Sequence, residues 1–505
     1  MQPNIVIIMA DQLAPHFTGT YGMAEAITPN MDTLAARGMR FDRAYCNSPL
    51  CVPSRASFMA GQHISRIAAW DNAAELPASV PTFAHYLGAL GYRSCLSGKM
   101  HFVGPDQKHG FSDRVTTDIY PSDFAWTPDW TNNDERIDIW YHNMQTVAES
   151  GVAVATYQTD YDDEAEFAAR RWLIDRARDK AVGQGQPFCL VASFFHPHDP
   201  YVAKPEFWDL YEGVDIPLPE TEMAPGDLDP FSRRVADGVE ATTQPMNREE
   251  MIRARRAYLA NTSYFDSKVG ALMQTIEEMG ETENTIFIVT SDHGDMLGER
   301  GMWFKMSFLE HSARIPLIMA GPGINNGRSD TLCSLMDILP TLVDIAGGDD
   351  AIYAQPVDGR SLLPLCRGES FDGEVIGEYC AECAGAPVVM IRRGNLKYIH
   401  CDLDPPQLYD LARDPWELAN VAGDPAYTDA AAAFAAEVQE RWDTGALKAQ
   451  VIESQQTRLK LHAMMDTTGD NAWDFNPPRD ASNEYVRNHH DWVATATRAR
   501  FPPLK

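Results

Sequence analysis

No run of about 18 apolar residues, the length a helix needs to cross a bilayer, occurs anywhere in this 505-residue chain, so nothing in it reads as a membrane span. Basic residues are also scarce: 42 Lys and Arg stand against 72 Asp and Glu, a formal net charge of −30. So acidic a surface repels phosphate backbones, which excludes nucleic acid as an expected partner and favours neutral or cationic ones. Much of the excess is expected to be ordinary solvated surface. Cysteines are odd in number, nine in all, and do not read as a disulfide framework. Cys380 and Cys383 form a lone CxxC, which carries little weight without a second pair at zinc-site spacing. The N-terminal apolar run, residues 5–9, is too short for a signal-peptide core, lacks a basic preceding region and runs into Asp11. The expected location is therefore the cytoplasm. There is no internal repeat and no low-complexity segment.

What is present is enough apolar material, 44% of residues, for a sizeable core. The length exceeds what one core normally supports, so a large domain, a smaller one and a tail are expected. Several short apolar runs read as buried strands, and each delivers residues able to do chemistry. Residues 5–9 lead to Asp11 and Gln12, and residues 93–96 lead through Ser97-Gly98 to Lys99 and His101. Residues 188–195 lead to His196 and His198, and residues 285–290 to Asp292 and His293. Helical segments, including 30–37 and about 249–279, lie between them. Such alternation predicts an α/β fold, a large mostly parallel sheet sandwiched by helices, with ligands bound beyond the carboxyl ends of the strands. Asp11, Asp292, the Gln12 carbonyl and His293 offer mainly oxygen donors, which suit Ca²⁺ or Mg²⁺ better than a thiolate-seeking ion. A lone Asp after a strand usually caps a helix. The joint pattern with Thr290-Ser291-Asp292-His293-Gly294 favours a metal.

Cys51-Val52-Pro53-Ser54-Arg55, followed by Gly61, resembles the signature of the sulfatases of the alkaline-phosphatase superfamily, although Met59 and Ala60 stand where Leu and Thr are usual. The bland alternative for Cys51 is an inert buried thiol. The resemblance implies that Cys51 is oxidised to formylglycine by a separate generating enzyme and that the hydrated aldehyde, a geminal diol, is the nucleophile. It also implies one divalent ion, Ca²⁺ before Mg²⁺ or Mn²⁺, held by Asp11, Gln12, Cys51, Asp292 and His293. Gln12 replaces the family's usual second Asp, and His293 a common Asn, which leaves the choice of metal open. Gly98-Lys99-Met100-His101 matches the family's Gly-Lys-x-His, and His196-Pro197-His198-Asp199-Pro200 its proline-flanked histidine loop. Sulfuryl transfer then assigns the roles. Arg55 orients and neutralises the nucleophile's oxygen, while Lys99 and Lys305 stabilise the non-bridging oxygens. His198, alone or with Lys305, protonates the leaving alcohol, and His101 takes the proton that lets sulfate depart. His196 is given no role.

Within that family the chain resembles the choline sulfatases over nearly its whole length. The likeness runs through Asp71-Asn72-Ala73-Ala74-Glu75, the stretch from Gly98 to Asp106, Phe124-Ala125-Trp126-Thr127-Pro128-Asp129-Trp130 and the tail from Trp473 to Pro502. A trimethylammonium group donates no hydrogen bonds, so its subsite needs aromatic faces and carboxylates. Trp126, Trp130, Trp140, Tyr141, Glu382 and Asp491 are available, of which Trp126, Glu382 and Asp491 are favoured. Asn72 and Asn143 are candidate donors to the sulfate or bridging oxygen. The implied reaction is hydrolysis of a small cationic sulfate ester, choline O-sulfate. A phosphonate or phosphate ester hydrolase, an aryl sulfatase and a non-catalytic choline-binding protein are the alternatives. The expected division is a catalytic domain at 1–375, a smaller antiparallel sheet with a helix at 376–456, and a tail at 457–505. The smaller unit would contain a hairpin (388–392 and 397–400) and an alanine-rich helix from about Ala430 towards Leu447, with Gly445 a stop. The tail keeps Trp473, Phe475, Tyr485, Trp492 and Phe501 in a polar setting, so it is expected to dock, and the resemblance implies a homo-oligomer, a tetramer before a dimer.

Overall fold

Four β-branched or otherwise apolar residues in succession, Ile5 to Ile8, favour a strand buried on both faces. The computed structural model, which describes residues 2–132, 142–467 and 473–503, places that run at the centre of an eight-stranded sheet. In chain order its strands are β1 (Asn4–Asp11), β2 (Met39–Phe41), β3 (Arg93–Gly98), β4 (Asp113–Arg114), β5 (Phe188–Pro197), β6 (Thr285–Ser291), β7 (Leu317–Ala320) and β8 (Gly327–Ser329). Their spatial order is β8-β2-β7-β6-β1-β5-β3-β4, and only β7 runs against the others. All four runs expected as strands are found, each one to a few residues longer than its apolar core.

Helices cover the sheet in two groups. The first comprises α1 (Pro29–Arg37), α4 (Tyr157–Ala181) and α5 (Arg248–Glu278), which pack on one another and on the sheet. The second comprises α2 (Cys51–Ala60), α3 (Phe83–Ala89) and α6 (Ile338–Ile345). Register sets the functional rim. Ala10 lies opposite Ser291, and Ser193 opposite both Met9 and Gly98, so β1, β3 and β6 release Asp11, Lys99 and Asp292 at one level. Gly98 is required there: at φ 94° a Cβ would lie 1.9 Å from the Ser193 carbonyl oxygen.

The smaller sheet is antiparallel in chain order, β9 (Glu374–Tyr379), β10 (Val388–Arg393), β11 (Leu396–Cys401) and β12 (Gln407–Asp410). Helix α7 (Thr428–Arg441) lies on it and stacks Phe434 on Tyr398 at 5.5 Å. The alanine-rich helix ends earlier than expected. Trp442 turns extended, its indole N–H donating to Glu378 at 2.7 Å, and Asp443 caps a new helix, α8 (Thr444–Asp466), through the Ala446 amide. Gly445 therefore opens a helix rather than stopping one, and residues 456 and 457, where a boundary was drawn, are interior to α8. Helix α9 (Trp492–Ala499) follows near the C-terminus. No helix among the described residues is long and apolar enough to cross a membrane, and no disulfide joins the cysteines.

Candidate active site

Helix α2 begins at Cys51, so its first turn, with unpaired amides and a positive dipole end, faces the rim. Every residue of α2 is buried. The Val52 amide is taken by the Asn72 side-chain oxygen at 3.0 Å, and the Ser54 hydroxyl donates to the Asp292 carbonyl at 2.5 Å. Around the Cys51 sulfur lie His293 Nε2 at 3.4 Å, Lys99 Nζ at 3.5 Å and Asp11 Oδ1 at 3.8 Å. Ligand atoms of Asp11, Cys51, Asp292 and His293 all fall within 4.8 Å of one another. His293 Nδ1 sits 3.1 Å from the Gly294 carbonyl, the contact that fixes Nδ1 as donor and leaves the Nε2 lone pair facing the cluster.

One turn along α2, Arg55 binds the whole cluster from behind. Its guanidinium donates to Asp292 Oδ2 and Asp11 Oδ2, both at 2.9 Å, to Ser193 Oγ at 2.8 Å and to the Lys99 carbonyl at 2.7 Å. Lys99 also pairs with Asp11. Burial alone raises the Asp11 carboxyl, but Lys99, His198 and Arg55 outweigh it and hold Asp11 well below the usual carboxylate range. The Cys51 thiol goes the other way: burial first, then Asp11, push it up to about 11. Unmodified, it is a protonated and poor nucleophile at neutral pH.

A second network lies beside the first. Lys305 Nζ reaches the Gln12 side-chain oxygen at 2.5 Å and His198 Nε2 at 2.8 Å, and the Gln12 amide nitrogen donates to Asp295 at 2.6 Å and Asp199 at 3.2 Å. His198 Nδ1 lies 2.6 Å from the Asp199 carbonyl. Burial, then Lys305, hold His198 well below its ordinary value, so it is neutral and accepts from Lys305. His101 has a left-handed backbone (φ 59°), fixed because the Met100 and His101 amides both donate to Asp118 Oδ2. Its ring makes no hydrogen bond among the described residues, and burial, then Lys99, bring it down to about 3. The ring packs against Tyr120 at 5.0 Å and Trp126 at 5.7 Å, and Tyr120 lies under the Lys99 ammonium at 4.2 Å.

The structure thus brings together Asp11, Gln12, Cys51, Arg55, Lys99, His198, Asp292, His293 and Lys305, with His101, Asn72 and Trp126 adjoining them. Trp130 is structural, its indole N–H bound to the Ala381 carbonyl. Glu382, beside Ala381, is buried. Asn143 caps a short helix through the Gln145 amide, and its neighbour His142 faces the His198 ring at 5.8 Å. Asp491 is exposed and caps α9 through the Ala494 amide, and among the described residues no hydrogen bond or ion pair ties it to the cluster. Trp140 and Tyr141 lie outside the described residues. His196 is held by Asp162 at 2.7 Å, a buried structural pair. Sequence reasoning passed over Asp118, Tyr120, Ser193, Asp199 and Asp295. Only Asp199 and Asp295 carried a signal, as neighbours of His198 and of the Asp292-His293-Gly294 turn.

The model of the sulfatase family matches residues 3–348, most of the chain and all of the residues that build this cluster. The chain belongs to the sulfatase family. Two further models match this sulfatase, an N-sulphoglucosamine sulphohydrolase C-terminal model at residues 298–443 and a choline sulfatase C-terminal model at residues 449–501. It is 47% identical to a choline-sulfatase of Rhizobium meliloti (strain 1021), over 99% of both chains. It is 30% identical to arylsulfatase K of Canis lupus familiaris, over 83% of this chain and 79% of that one. A solved phosphonate monoester hydrolase of Agrobacterium radiobacter shares the fold, with a TM-score of 0.70, 22% identity and coverage of 89% of this chain and 96% of that one. This sulfatase is accordingly a sulfuric ester hydrolase of α/β architecture.

Proposed function

We propose that this sulfatase hydrolyses choline O-sulfate to choline and sulfate, that Cys51 is matured to formylglycine by a separate enzyme, and that one divalent cation, Ca²⁺ first, completes the site. The observation that carries the substrate is the 47% identity to a choline-sulfatase over 99% of both chains, which includes the C-terminal module. The donor set fits a hard divalent ion: two buried carboxylates and an imidazole nitrogen turned inward surround position 51, and Gln12, tied to Asp292 through its backbone N–H and to Lys305 through its side-chain oxygen, adjoins them. Bound there, the cation would polarise the ester and favour ionisation of the hydrated aldehyde.

The chain's own groups divide the remaining work. Arg55 and Lys99 keep Asp11 ionised, and the α2 dipole with the Lys99 and Lys305 ammonium groups favours negative charge on the sulfuryl oxygens. Because His198 is neutral and accepts from Lys305, the proton for the departing alcohol comes from Lys305, with His198 orienting it. His101, uncharged and without a hydrogen-bonded ring nitrogen, accepts the proton that lets sulfate leave. The half-buried Trp126 face, Tyr120 and buried Glu382 supply the π and carboxylate groups a trimethylammonium needs. The tail exposes Tyr485, Val486, Trp492 and Val493, a surface consistent with assembly into a homo-oligomer.

The test is sulfate release from choline O-sulfate, an aryl sulfate and a phosphonate monoester, by protein whose residue 51 has been read by peptide mass spectrometry. Choline O-sulfate should be preferred, and Cys51→Ala should be inactive. Trp126→Ala should raise the KM for choline O-sulfate by about 2- to 30-fold, the value of a cation–π contact, with a smaller effect on the aryl ester. Preference for the aryl or phosphonate ester removes the substrate assignment, and an unmodified residue 51 removes the nucleophile.

A further inference from the structure

Asp71 is a fully buried carboxylate on the loop that carries Asn72, and its counter-charge comes from the far end of the chain. Arg458 of α8 donates to both of its oxygens, at 2.6 and 2.7 Å, across 387 residues of sequence. The pair is enclosed, with side-chain exposures of 7% for Arg458 and 0% for Asp71, so it is far less screened than a surface bridge. Asp71 is committed at both ends, since its Oδ1 also accepts the Ala73 amide and its carbonyl the Ala74 amide. Between these anchors sits Asn72, whose side-chain oxygen takes the Val52 amide next to the nucleophile. Arg458 reaches Thr127 as well, at 3.3 Å, and one turn earlier Gln455 accepts the Trp130 amide at 2.9 Å. The same helix therefore holds the loop that carries Trp126.

We propose that Arg458 is a positioning residue for sulfate ester hydrolysis: by its bidentate grip on Asp71 it fixes Asn72 against the first turn of the helix that presents residue 51. The inference rests on the sulfate-ester chemistry of the site and not on choline. Without Arg458, the Asp71 carboxylate is a buried charge left with the Ala73 amide as its one donor among the described residues, and the loop relaxes to rehydrate it. Asn72 then loses its fixed angle to Val52, and a misplacement on the ångström scale beside a nucleophile costs on the order of 100-fold in rate.

The experiment compares wild type, Arg458→Met, Asn72→Ala and the double variant, on an aryl sulfate and on choline O-sulfate, with hydrogen exchange at the Val52 amide read in parallel. Arg458→Met should lower kcat by about 10- to 100-fold on both esters and accelerate exchange at Val52. In the Asn72→Ala background the same change should cost less than about 2-fold, because the path through Asn72 is already cut. Arg458→Lys, which keeps the charge but not the fork, should recover part of the rate. Should Arg458→Met fail to fold, Asp71→Asn with Arg458→Met removes both charges and carries the same comparison. An equal loss in both backgrounds, or wild-type exchange at Val52, overturns the proposal. If wild type turns over only the aryl ester, the choline assignment falls and this inference stands on the aryl data.

Discussion

Arg55→Met is the most informative single change in the cluster, because it keeps the volume of a long side chain and deletes only its charge and donors. Four hydrogen bonds of 2.7–2.9 Å disappear, two of them to carboxylates. Asp11 keeps Lys99 as a cation, whereas Asp292 is left with the Gln12 and His293 amides on Oδ1 and nothing on Oδ2 but the neutral face of His293. Stranding one member of a buried ion pair costs about 3–5 kcal/mol. Against a typical stability of about 5–15 kcal/mol the variant should still fold, with its folded-to-unfolded ratio lowered by about 10² to 10⁴. Urea denaturation followed by tryptophan fluorescence measures this directly. The same titration in millimolar Ca²⁺ should show a smaller loss, because a bound cation supplies the charge Asp292 lacks. A loss below about 1 kcal/mol with and without Ca²⁺ would refute the view that Arg55 is the counter-charge on which the carboxylates depend.

Chelation should abolish turnover and lower the melting temperature of wild type, and added Ca²⁺ should restore both; at a thousand times its Kd the ion adds about 4 kcal/mol. A melting curve indifferent to chelator would exclude a resident ion from the Asp11–Asp292 cluster. Acid should weaken the fold through buried histidines. Burial, then Lys99, lower His101 to about 3; burial, partly offset by Asp106, lowers His109 to about 4; and burial, then Arg255, lower His311 to about 3. Below pH 6.5 the unfolded chain takes up protons these residues refuse, so each contributes up to about 1.4 kcal/mol of lost stability per pH unit down to its folded value. Asp199, which burial raises to about 7, and Asp266 and Asp337, which burial raises to about 6, act in the opposite sense over the same window, while the buried His16, His142 and His198, held well below their ordinary value, add to the loss. A melting temperature unchanged between pH 6.5 and pH 4.5 would contradict this.

The rim was legible in the sequence because its residues sit directly after strands whose apolar runs are unmistakable. Asp11 and Asp292 leave β1 and β6 within one or two residues of an unbroken hydrophobic stretch, and a parallel register lines them up without further information. Cys51 and Arg55 were legible for another reason, a motif whose four-residue spacing stacks them on one face of α2. Tyr120 and Asp118 were not, since they lie in a loop without periodicity and owe their roles to where the Lys99–His101 turn happens to meet them. The split between α7 and α8 was missed for a similar cause: alanine-rich sequence favours a continuous helix, and the break is made by tertiary contact between Trp442 and Glu378. Asp491 stood out as a carboxylate near aromatic residues, and in the structure its local use as an N-cap is what the sequence pattern also allows.

The span between Asp71 and Arg458 has a temporal side. A ribosome adding roughly 5–20 residues per second needs roughly 20 to 80 seconds to make the 387 residues that separate them. Throughout that interval the nascent chain holds its N-terminal loop without the partner that closes it, and Cys51, wholly enclosed in the finished molecule, sits on a segment that has not yet been sealed. On the proposal that a separate enzyme matures Cys51, that enzyme would work against a clock set by the arrival of α8. Slowing translation downstream of residue 71 would lengthen that opportunity, and a chain refolded from its full length would scarcely have it.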